Sequence, residues 1–321
     1  MGHQGRDGGT SYSHNHRIDI LVIRSRFPLQ LGGIATFTLG LLYALQEKII
    51  YVPVIPGVPR KYVASPVDYG MDYEDVWIKV KDGTKLHAWL MWRKGLDMDQ
   101  VRELPLVIFF QENAGNMSMR LHFLRAAVYI LNCKVFILSY RGYGESTGSP
   151  SEMGLQKDAH AAMRYLVQRS DYAPQKTVVM GRSLGGAVAI YTATHYKNDI
   201  RGLVVENTFT SIMDMAPQIF PPLRFLIGTG KPCNWLIRNK WDNLTRIQSL
   251  IDMPILFLVS LEDEIIHPDQ MLKLFQMHGK DPWSFHEFED AAHMDCYHTH
   301  GHLYWPTVKS FIDSLIDGAD T

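Results

Sequence analysis

The chain has 321 residues, of which 46% are hydrophobic and 20% are charged, enough to bury one sizeable core. Lysine and arginine together number 32, against 33 for aspartate and glutamate, so no net field would draw a polyanion such as nucleic acid to the surface. Cys133, Cys233 and Cys296 are odd in number and far apart in the chain. This spacing argues against the disulfide framework of a small secreted protein.

The first 70 residues divide into a polar tail, an apolar run and a linker. Residues 1–26 are polar and rich in glycine and histidine, which predicts a disordered tail. Residues 27–45 carry no charge, and about 19 such residues suffice for one membrane span at the helical rise. No small-residue cleavage site follows, so we expect an uncleaved transmembrane anchor; the alternatives are a cleaved signal peptide and a helix packed against the domain. Residues 46–70 contain Pro53, Pro56 and Pro59 and are the predicted linker.

The orientation of the predicted anchor is left open by its flanks. Basic residues on its two sides are nearly balanced, so the positive-inside rule does not choose between them. Asn116 and Asn243 each begin a glycosylation acceptor sequence, which would matter only in a secretory lumen. Because Asn116 falls in a predicted active-site loop, Asn243 is the expected reporter of topology.

The rest of the chain alternates strands and helices. Val76–Val80 and Lys85–Trp92 flank the turn Asp82-Gly83 and predict an antiparallel hairpin. Five apolar runs predict further strands: Leu106–Phe110, Val135–Tyr140, Val178–Met180, Leu203–Val205 and Ile255–Val259. A further short strand is expected at Ser284–Phe288. Helices are expected at Gly154–Arg169, Leu184–Tyr196, Met271–Met277 and Leu303–Ile316. This alternation predicts an α/β domain at residues 71–318, with a mostly parallel sheet covered by helices on both faces.

One serine stands where such a sheet could expose a nucleophile. Gly181-Arg182-Ser183-Leu184-Gly185 is a Gly-x-Ser-x-Gly motif between a predicted strand and a predicted helix. Its glycines allow a strained turn that lifts the serine hydroxyl above the sheet and points the helix N-terminus at developing negative charge. The alternative, a serine that merely caps a helix, is disfavoured by the apolar strand before it. Ser183 is therefore the predicted nucleophile.

A serine nucleophile needs a base, and the base needs an acid that fixes its tautomer. Asp263 follows the strand Ile255–Val259 and is the predicted acid, with Glu262 and Glu264 as neighbouring alternatives. These three carboxylates share one loop, so position within it decides the choice.

His293 is the predicted general base, because it follows the last strand and precedes the last helix. His286 lies inside that strand. His298, His300 and His302 lie further beyond its end than a base loop usually reaches.

Two backbone amides are expected to bind the oxyanion. The residue after the nucleophile, Leu184, supplies one, and Asn113, in the loop after Leu106–Phe110, supplies the other, with Glu112 as the alternative. Residues 211–250 are a predicted small cap, in which apolar and basic residues are interspersed. We expect this cap to admit an acyl chain at a membrane surface, although an ordinary cap core with a solvated basic face explains the same pattern.

Four motifs recur in order along this domain: Gln111–Asn116, Tyr140–Gly144, Gly181–Val188 and Glu206–Phe209. Together with the N-terminal anchor they resemble the membrane-anchored α/β-hydrolase domain-containing proteins of eukaryotes, and in particular the plant wavy-growth branch. The resemblance implies the α/β-hydrolase fold and runs from about Gln46 to the last helix.

The same resemblance implies that Ser183, Asp263 and His293 form a catalytic triad. The chain departs from many relatives by having Gln111-Glu112 in place of His-Gly, and Ser260 and His267 in place of Gly and Pro. Relatives include acyl-protein thioesterases and lipases, so cleavage of esters or thioesters is implied by resemblance.

We therefore expect a single-pass membrane serine hydrolase of the endoplasmic reticulum, endomembranes or plasma membrane. Its expected partners are the membrane and an acyl ester or thioester, which includes a lipidated protein, with no nucleic acid and no cofactor. The competing hypothesis is a catalytically silent scaffold tethered to the membrane. A metal site at His298, His300 and His302 with Cys296 is a further alternative, but exposed loop histidines are the simpler interpretation.

Overall fold

The structure is a computed structural model that describes Met1 and residues 39–317. The predicted tail after Met1 and most of the predicted anchor lie outside the described residues. The chain divides into two compact units, residues 1–46 and residues 47–321. None of the helices at residues 39–317 combines the length and the apolar character needed to cross a membrane.

A single eight-stranded sheet forms the centre of the domain. Its strands are β1 (Met71–Lys79), β2 (Lys85–Arg93), β3 (Leu106–Phe110), β4 (Lys134–Leu138), β5 (Thr177–Arg182), β6 (Gly202–Glu206), β7 (Ile255–Ser260) and β8 (Trp283–Phe288). The spatial order is β1-β2-β4-β3-β5-β6-β7-β8. The first two strands pair antiparallel, as β2 does with β4, and every other pairing is parallel. The predicted mostly parallel sheet with an antiparallel edge is confirmed.

Helices cover this sheet and connect its strands. They are α1 (residues 39–50), α2 (Met98–Glu103), α3 (Leu121–Ile130), α4 (Glu152–Val167), α5 (Leu184–His195), α6 (Ile212–Ile219), α7 (Asn243–Ile247), α8 (Asp269–Gln276), α9 (Cys296–Thr299) and α10 (Gly301–Asp317). The four predicted helices in the domain are confirmed, as α4, α5, α8 and α10. The other helices in the domain are additional to the prediction, and most of them are short.

The core lies on both faces of the sheet because each central strand is buried along its whole length. In β3, Ile108 and Phe110 belong to one apolar cluster, and Val107 and Phe109 belong to the other. This alternation follows from the two-residue period of a strand. A parallel sheet buried in this way presents its chemistry at the carboxyl ends of its strands.

The predicted linker is attached to the domain near one of those ends. Val52 forms a parallel bridge with Ala114, in the loop after β3. The Arg60 guanidinium donates hydrogen bonds to the carbonyl oxygens of Gly142 and Gly144. These contacts hold residues after 50 against two loops at the carboxyl edge of the sheet.

Both potential glycosylation sites are buried. The Asn243 side chain is completely buried and donates to the carbonyl oxygen of Phe209 over 2.8 Å. The Asn116 amide donates to the carbonyl oxygen of Arg60 over 3.0 Å. The expectation that Asn243 would report topology is wrong, because the folded domain uses its amide internally.

Candidate active site

Ser183 sits on a strained turn between β5 and α5. Its backbone has φ 57° and ψ −123°, a combination that costs an L-residue about 1–3 kcal/mol and persists only where its surroundings enforce it. The Ser183 amide donates to the carbonyl oxygen of Glu206 over 2.9 Å. The Ser183 carbonyl oxygen accepts from the Thr208 hydroxyl over 2.8 Å. The end of β6 therefore holds the turn on both sides of the serine.

The glycines of the Gly-x-Ser-x-Gly motif are required by close backbone approach. A Cβ atom on Gly181 would lie 2.1 Å from the carbonyl oxygen of Gly185. One on Gly185 would lie 1.9 Å from the carbonyl oxygen of Phe110, at the end of β3. Either side chain would push the turn away from the sheet, so the sequence motif and the position of Ser183 have one steric cause.

The side chains of Ser183, His293 and Asp263 form one hydrogen-bonded series. His293 Nε2 lies 3.0 Å from Ser183 Oγ, and His293 Nδ1 lies 2.6 Å from Asp263 Oδ2. The other carboxylate oxygen, Asp263 Oδ1, accepts from the amides of Ile265 and Ile266. The imidazole and the carboxylate are almost wholly buried, with 3% and 1% of each side chain exposed. The structure thus brings together three residues that are 80 and 30 positions apart along the chain.

The alternative acids occupy other positions. Glu264 Oε2 accepts from the backbone amide of His293 over 3.0 Å, and this hydrogen bond holds the pKa of Glu264 below its ordinary value. Glu262 is exposed. Among the alternative bases, His286 is exposed in the middle of β8. Glu264 thus supports the backbone of the histidine that Asp263 contacts through the ring.

Asn207 holds the His293 loop from the end of β6. Its Nδ2 donates to the carbonyl oxygen of His293 over 3.0 Å and to the Ser260 hydroxyl over 2.9 Å, while its Oδ1 accepts from the Ser260 amide. Asn207 has φ 46°, a left-handed conformation that asparagine tolerates better than most residues. The motif Glu206–Phe209 marked this position in the sequence, but nothing in the motif indicated its partner.

A buried cluster of charges lies next to the nucleophile. The Arg182 guanidinium, adjacent to Ser183, contacts Glu206 Oε1 at 2.7 Å and Glu112 Oε1 at 3.0 Å. Arg120 contacts the second oxygen of Glu112 at 2.5 Å. Tyr304 donates to Glu206 over 2.6 Å. Two guanidinium groups and two carboxylates therefore balance in charge and join the ends of β3, β5 and β6.

The same pairing decides the charge of the buried carboxylate. Burial alone would raise the pKa of Glu112, but Arg120 and Arg182 outweigh burial and hold that pKa below its ordinary value. Burial alone would lower the pKa of Arg182, but Glu206 and Glu112 outweigh it and raise that pKa. Glu112, one of the two residues by which this loop differs from many relatives, is thus accommodated as an ion pair. Glu112 points its carboxylate into this cluster.

The loop after β3 is fixed around Asn113. The Asn113 carbonyl oxygen accepts from the Val52 amide at 3.0 Å and from the Tyr143 hydroxyl at 2.7 Å. The Asn113 side-chain amide donates to the carbonyl oxygen of Ile50 over 3.1 Å. Asn113 and Leu184, the two predicted oxyanion residues, line the same pocket as Ser183.

That pocket has a volume of about 350 Å³, and both Ser183 and His293 reach it. Its wall is mostly apolar and comes from residues 49–50, from α6 and the residue after it, and from the loop after β7. The apolar residues from these segments are Ile49, Ile50, Ile212, Met215, Ala216, Ile219, Phe220, Ile265 and Ile266. A cleft of this size and polarity falls within the range of small-molecule binding sites.

The cysteines and the histidine cluster show no metal site. Burial raises the pKa of the Cys296 thiol, which disfavours the thiolate that a metal ion would bind. Within residues 39–317, no group of three or more histidine, cysteine, aspartate or glutamate side chains is arranged to hold a metal ion.

The chain is similar to known proteins over most of its length. Residues 114–244 match the family described as serine aminopeptidase, S33. The chain is 40% identical to the alpha/beta hydrolase domain-containing protein WAV2 of Arabidopsis thaliana, over 88% of this chain and 92% of that protein. It is 37% identical to protein bem46 of Schizosaccharomyces pombe, over 87% and 90%. It is 33% identical to an uncharacterized membrane protein of Saccharomyces cerevisiae, over 88% and 95%.

Solved structures share the fold at lower identity. An esterase of Pyrococcus furiosus superposes with a TM-score of 0.62 at 18% identity, covering 83% of this chain and 98% of the esterase. Est1E from Butyrivibrio proteoclasticus, solved with ferulic acid bound, superposes with a TM-score of 0.58 at 18% identity, covering 75% and 99%. The expected α/β-hydrolase fold is confirmed.

Proposed function

We propose that this chain, which belongs to the family of α/β-hydrolase domain-containing proteins, is a membrane-anchored serine hydrolase that cleaves carboxylic esters or thioesters. The observation that carries the proposal is the hydrogen-bonded series from Asp263 through His293 to Ser183. It ends at a strained serine in an apolar pocket, in a chain whose family and fold are those of hydrolases.

The distances suit proton transfer from the serine to the histidine. At 3.0 Å, His293 Nε2 is within reach of the Ser183 hydroxyl proton when Nδ1 carries the hydrogen that faces Asp263. Ser183 Oγ then attacks the acyl carbonyl carbon, and His293 returns the proton to the departing alcohol or thiol. Water, deprotonated by His293, releases the acid from the acyl-enzyme and restores Ser183.

The oxyanion formed in this attack has two donors in the proposal. They are the backbone amides of Leu184, at the N-terminus of α5, and of Asn113, in the loop after β3. Val52 and Tyr143 hold the Asn113 loop, so the Asn113 amide is already in place before the reaction begins.

The apolar wall favours an acyl group over a polar one as the occupant of the pocket. Ile212, Met215 and Ile219 belong to α6, the first helix of the predicted cap. The cap therefore contributes to acyl binding. Lipase-like and acyl-protein thioesterase activities both fit this pocket, because they differ in the leaving group rather than in the acyl chain.

The membrane anchor in the proposal is the uncharged run at residues 27–45. A yeast relative that aligns with 88% of this chain is named a membrane protein. The anchor would place the hydrolase beside lipid esters and lipidated proteins.

Labelling of the detergent-solubilised full chain with a fluorescent fluorophosphonate tests the proposed chemistry. We expect the parent to label, Ser183→Ala to remain unlabelled and His293→Ala to label far more slowly. Ser310→Ala and His286→Ala are matched controls, because both side chains belong to exposed residues outside the pocket. Both controls should label like the parent.

Folded parent protein that stays unlabelled would contradict the proposal and favour the silent scaffold. Equal labelling of the parent and Ser183→Ala would assign the reactive group to another residue. If the serine is activated, a panel of acyl esters and acyl thioesters then distinguishes the leaving-group classes.

A further inference from the structure

The predicted cap exposes two large aromatic side chains. Phe225 is 68% exposed and Trp235 is 74% exposed. Such side chains are normally scattered singly over a protein surface, whereas an exposed apolar patch marks a contact with another phase or molecule. Phe220, which lines the pocket, precedes Phe225 by one short turn of helix at residues 221–225.

Hydrogen bonds hold the two aromatic residues in one closed loop. The Cys233 amide donates to the carbonyl oxygen of Leu226, next to Phe225. Asn234, next to Trp235, exchanges two hydrogen bonds with the backbone of Gly228. Phe225 and Trp235 therefore belong to a single small substructure.

The charge of the same segment has one sign. Residues 219–240 contain four basic residues and no acidic residue: Arg224, Lys231, Arg238 and Lys240. All four are exposed, and Arg238 forms an ion pair with Glu47. Aromatic residues beside lysine and arginine are the composition that binds the interface of an anionic bilayer. We call the exposed side chains of residues 219–240 the cap face.

The cap face shares residues with the pocket, and another residue of the pocket lies close along the chain to the predicted anchor. Ile219 and Phe220, at one end of the cap face, line the pocket, and Ile49 lines the same pocket. Ile49 lies four positions after Leu45, where the predicted anchor ends, and both residues belong to α1, in which four residues span roughly 6 Å. A residue of the pocket wall therefore follows the predicted anchor almost directly in the chain.

We infer that the cap face docks on an anionic membrane surface, inserts Phe225 and Trp235 among the lipids, and opens the pocket towards acyl chains in the bilayer. The inference rests on the proposed function for the anchor and for the use of the pocket. It adds a second, peripheral membrane contact that recognises the lipid phosphates and other anionic headgroups.

Fluorescence of Trp235 tests the docking without any catalysis. The full chain with Ser183→Ala is reconstituted into vesicles of phosphatidylcholine with or without phosphatidylserine, prepared with normal or chain-brominated phosphatidylcholine. The share of quenching that belongs to Trp235 is the difference between this protein and the same protein with Trp235→Phe. We expect a clear difference in the anionic vesicles and a smaller one in the neutral vesicles.

Neutralising the charge supplies the matched comparison. Arg224→Gln with Lys231→Gln should lower the ratio of docked to undocked protein by roughly 25-fold, about fivefold for each charge, and remove most of the Trp235 quenching in anionic vesicles. Lys81→Gln with Lys94→Gln removes the same charge from exposed residues at the β1-β2 end of the sheet and should leave quenching unchanged.

Three results would overturn the inference. They are an absence of Trp235 quenching in anionic vesicles, quenching that does not respond to Arg224→Gln with Lys231→Gln, and failure of the full chain to float with the vesicles. The first would favour a protein partner for the cap face. Fluorophosphonate labelling of the parent is scored separately, so docking without an active serine and an active serine without docking are distinguishable outcomes.

Discussion

The floor and the rim of the pocket are built from opposite kinds of residue. The floor, which consists of Ser183, His293, Asp263 and the adjoining charge cluster of Arg182, Glu112 and Glu206, is polar and nearly completely buried. The rim consists of Ile49, Ile219, Phe220 and Ile265, which are apolar and 43–45% exposed. The floor thus buries polar side chains and the rim exposes apolar ones, which is the reverse of the usual distribution.

The difference shows which region has freedom to vary. Buried polar groups cost free energy unless every one of them is paired, so the floor has one satisfactory arrangement. Exposed apolar groups carry no such directional requirement, and one can replace another. We therefore expect substitutions at the floor to remove activity or stability, and substitutions at the rim to change which substrates enter.

The largest effect should come from Asp263→Asn. The asparagine keeps the shape but presents an amide to His293, which favours the wrong imidazole tautomer and should lower kcat by about 10⁴-fold. Asp269→Asn is the control, because that carboxylate is 65% exposed and lies outside the triad. Stopped-flow or steady-state hydrolysis of an activated ester measures both. Full activity in Asp263→Asn, with a loss in Glu262→Gln or Glu264→Gln, would transfer the acid role to the other residue.

The next largest effect should be on stability, in Arg182→Met. Removing this guanidinium leaves the buried carboxylates of Glu206 and Glu112 without one partner each, which typically costs about 3–5 kcal/mol in the free energy of unfolding. Lys309→Met breaks an ion pair with Asp313 that is nearly half exposed on both sides and should cost about 0.5 kcal/mol or less. Denaturant titration compares the two.

Arg182→Lys sharpens that test if the methionine variant does not fold. Lysine keeps the charge but cannot contact both Glu206 and Glu112 in the fork geometry of a guanidinium, so its stability should fall between the parent and Arg182→Met. Equal stability of parent, lysine and methionine proteins would show that the floor does not depend on this ion cluster.

The rim should respond through specificity, in Ile219→Ser. We expect kcat/KM for a long-chain ester to fall about tenfold, because the pocket loses apolar contact with the acyl chain, while hydrolysis of an acetate ester is unchanged. Ile251→Ser is a close control, since Ile251 is 41% exposed, against 43% for Ile219, and does not line the pocket. A loss of the same size on both esters would mean that Ile219 supports the floor rather than selecting the acyl chain.

The same contrast separates what the sequence could predict from what it could not. The eight strands and the longer helices of the domain were predictable, because apolar runs and their spacing report local conformation. Ser183, Asp263 and His293 were predictable as candidates because each follows a strand whose carboxyl end reaches the same edge of a parallel sheet. A motif or an element end marked each of these features.

Pairings between side chains that are distant in the chain leave no such mark in the sequence. Nothing in the motif Glu206–Phe209 indicated that Asn207 would hold the carbonyl oxygen of His293, and nothing near Glu112 indicated that Arg182, 70 residues later, would neutralise it. The short helices, such as α7, depend on caps and packing rather than on a long periodic pattern. Burial of Asn243 at the start of α7 was missed for the same reason.

The smallest expected effect lies where floor and solvent meet, at Glu264. Its folded-state pKa is lowered chiefly by the hydrogen bond from the His293 amide, whereas the pKa of a glutamate in the unfolded chain is about 4.3. Stabilisation by this carboxylate is therefore fully present above that pH and is lost as the pH falls through the lower folded-state pKa. In Glu264→Gln we expect Tm to fall by at most about 2 °C at pH 7, with the difference from the parent disappearing in strong acid.

Glu289→Gln is the control, because Glu289 is an exposed residue of the loop that leads to His293, and its Tm should equal that of the parent at either pH. A gap in Glu264→Gln that persists unchanged into strong acid would mean that the residue stabilises the His293 loop by packing, and not through its charge.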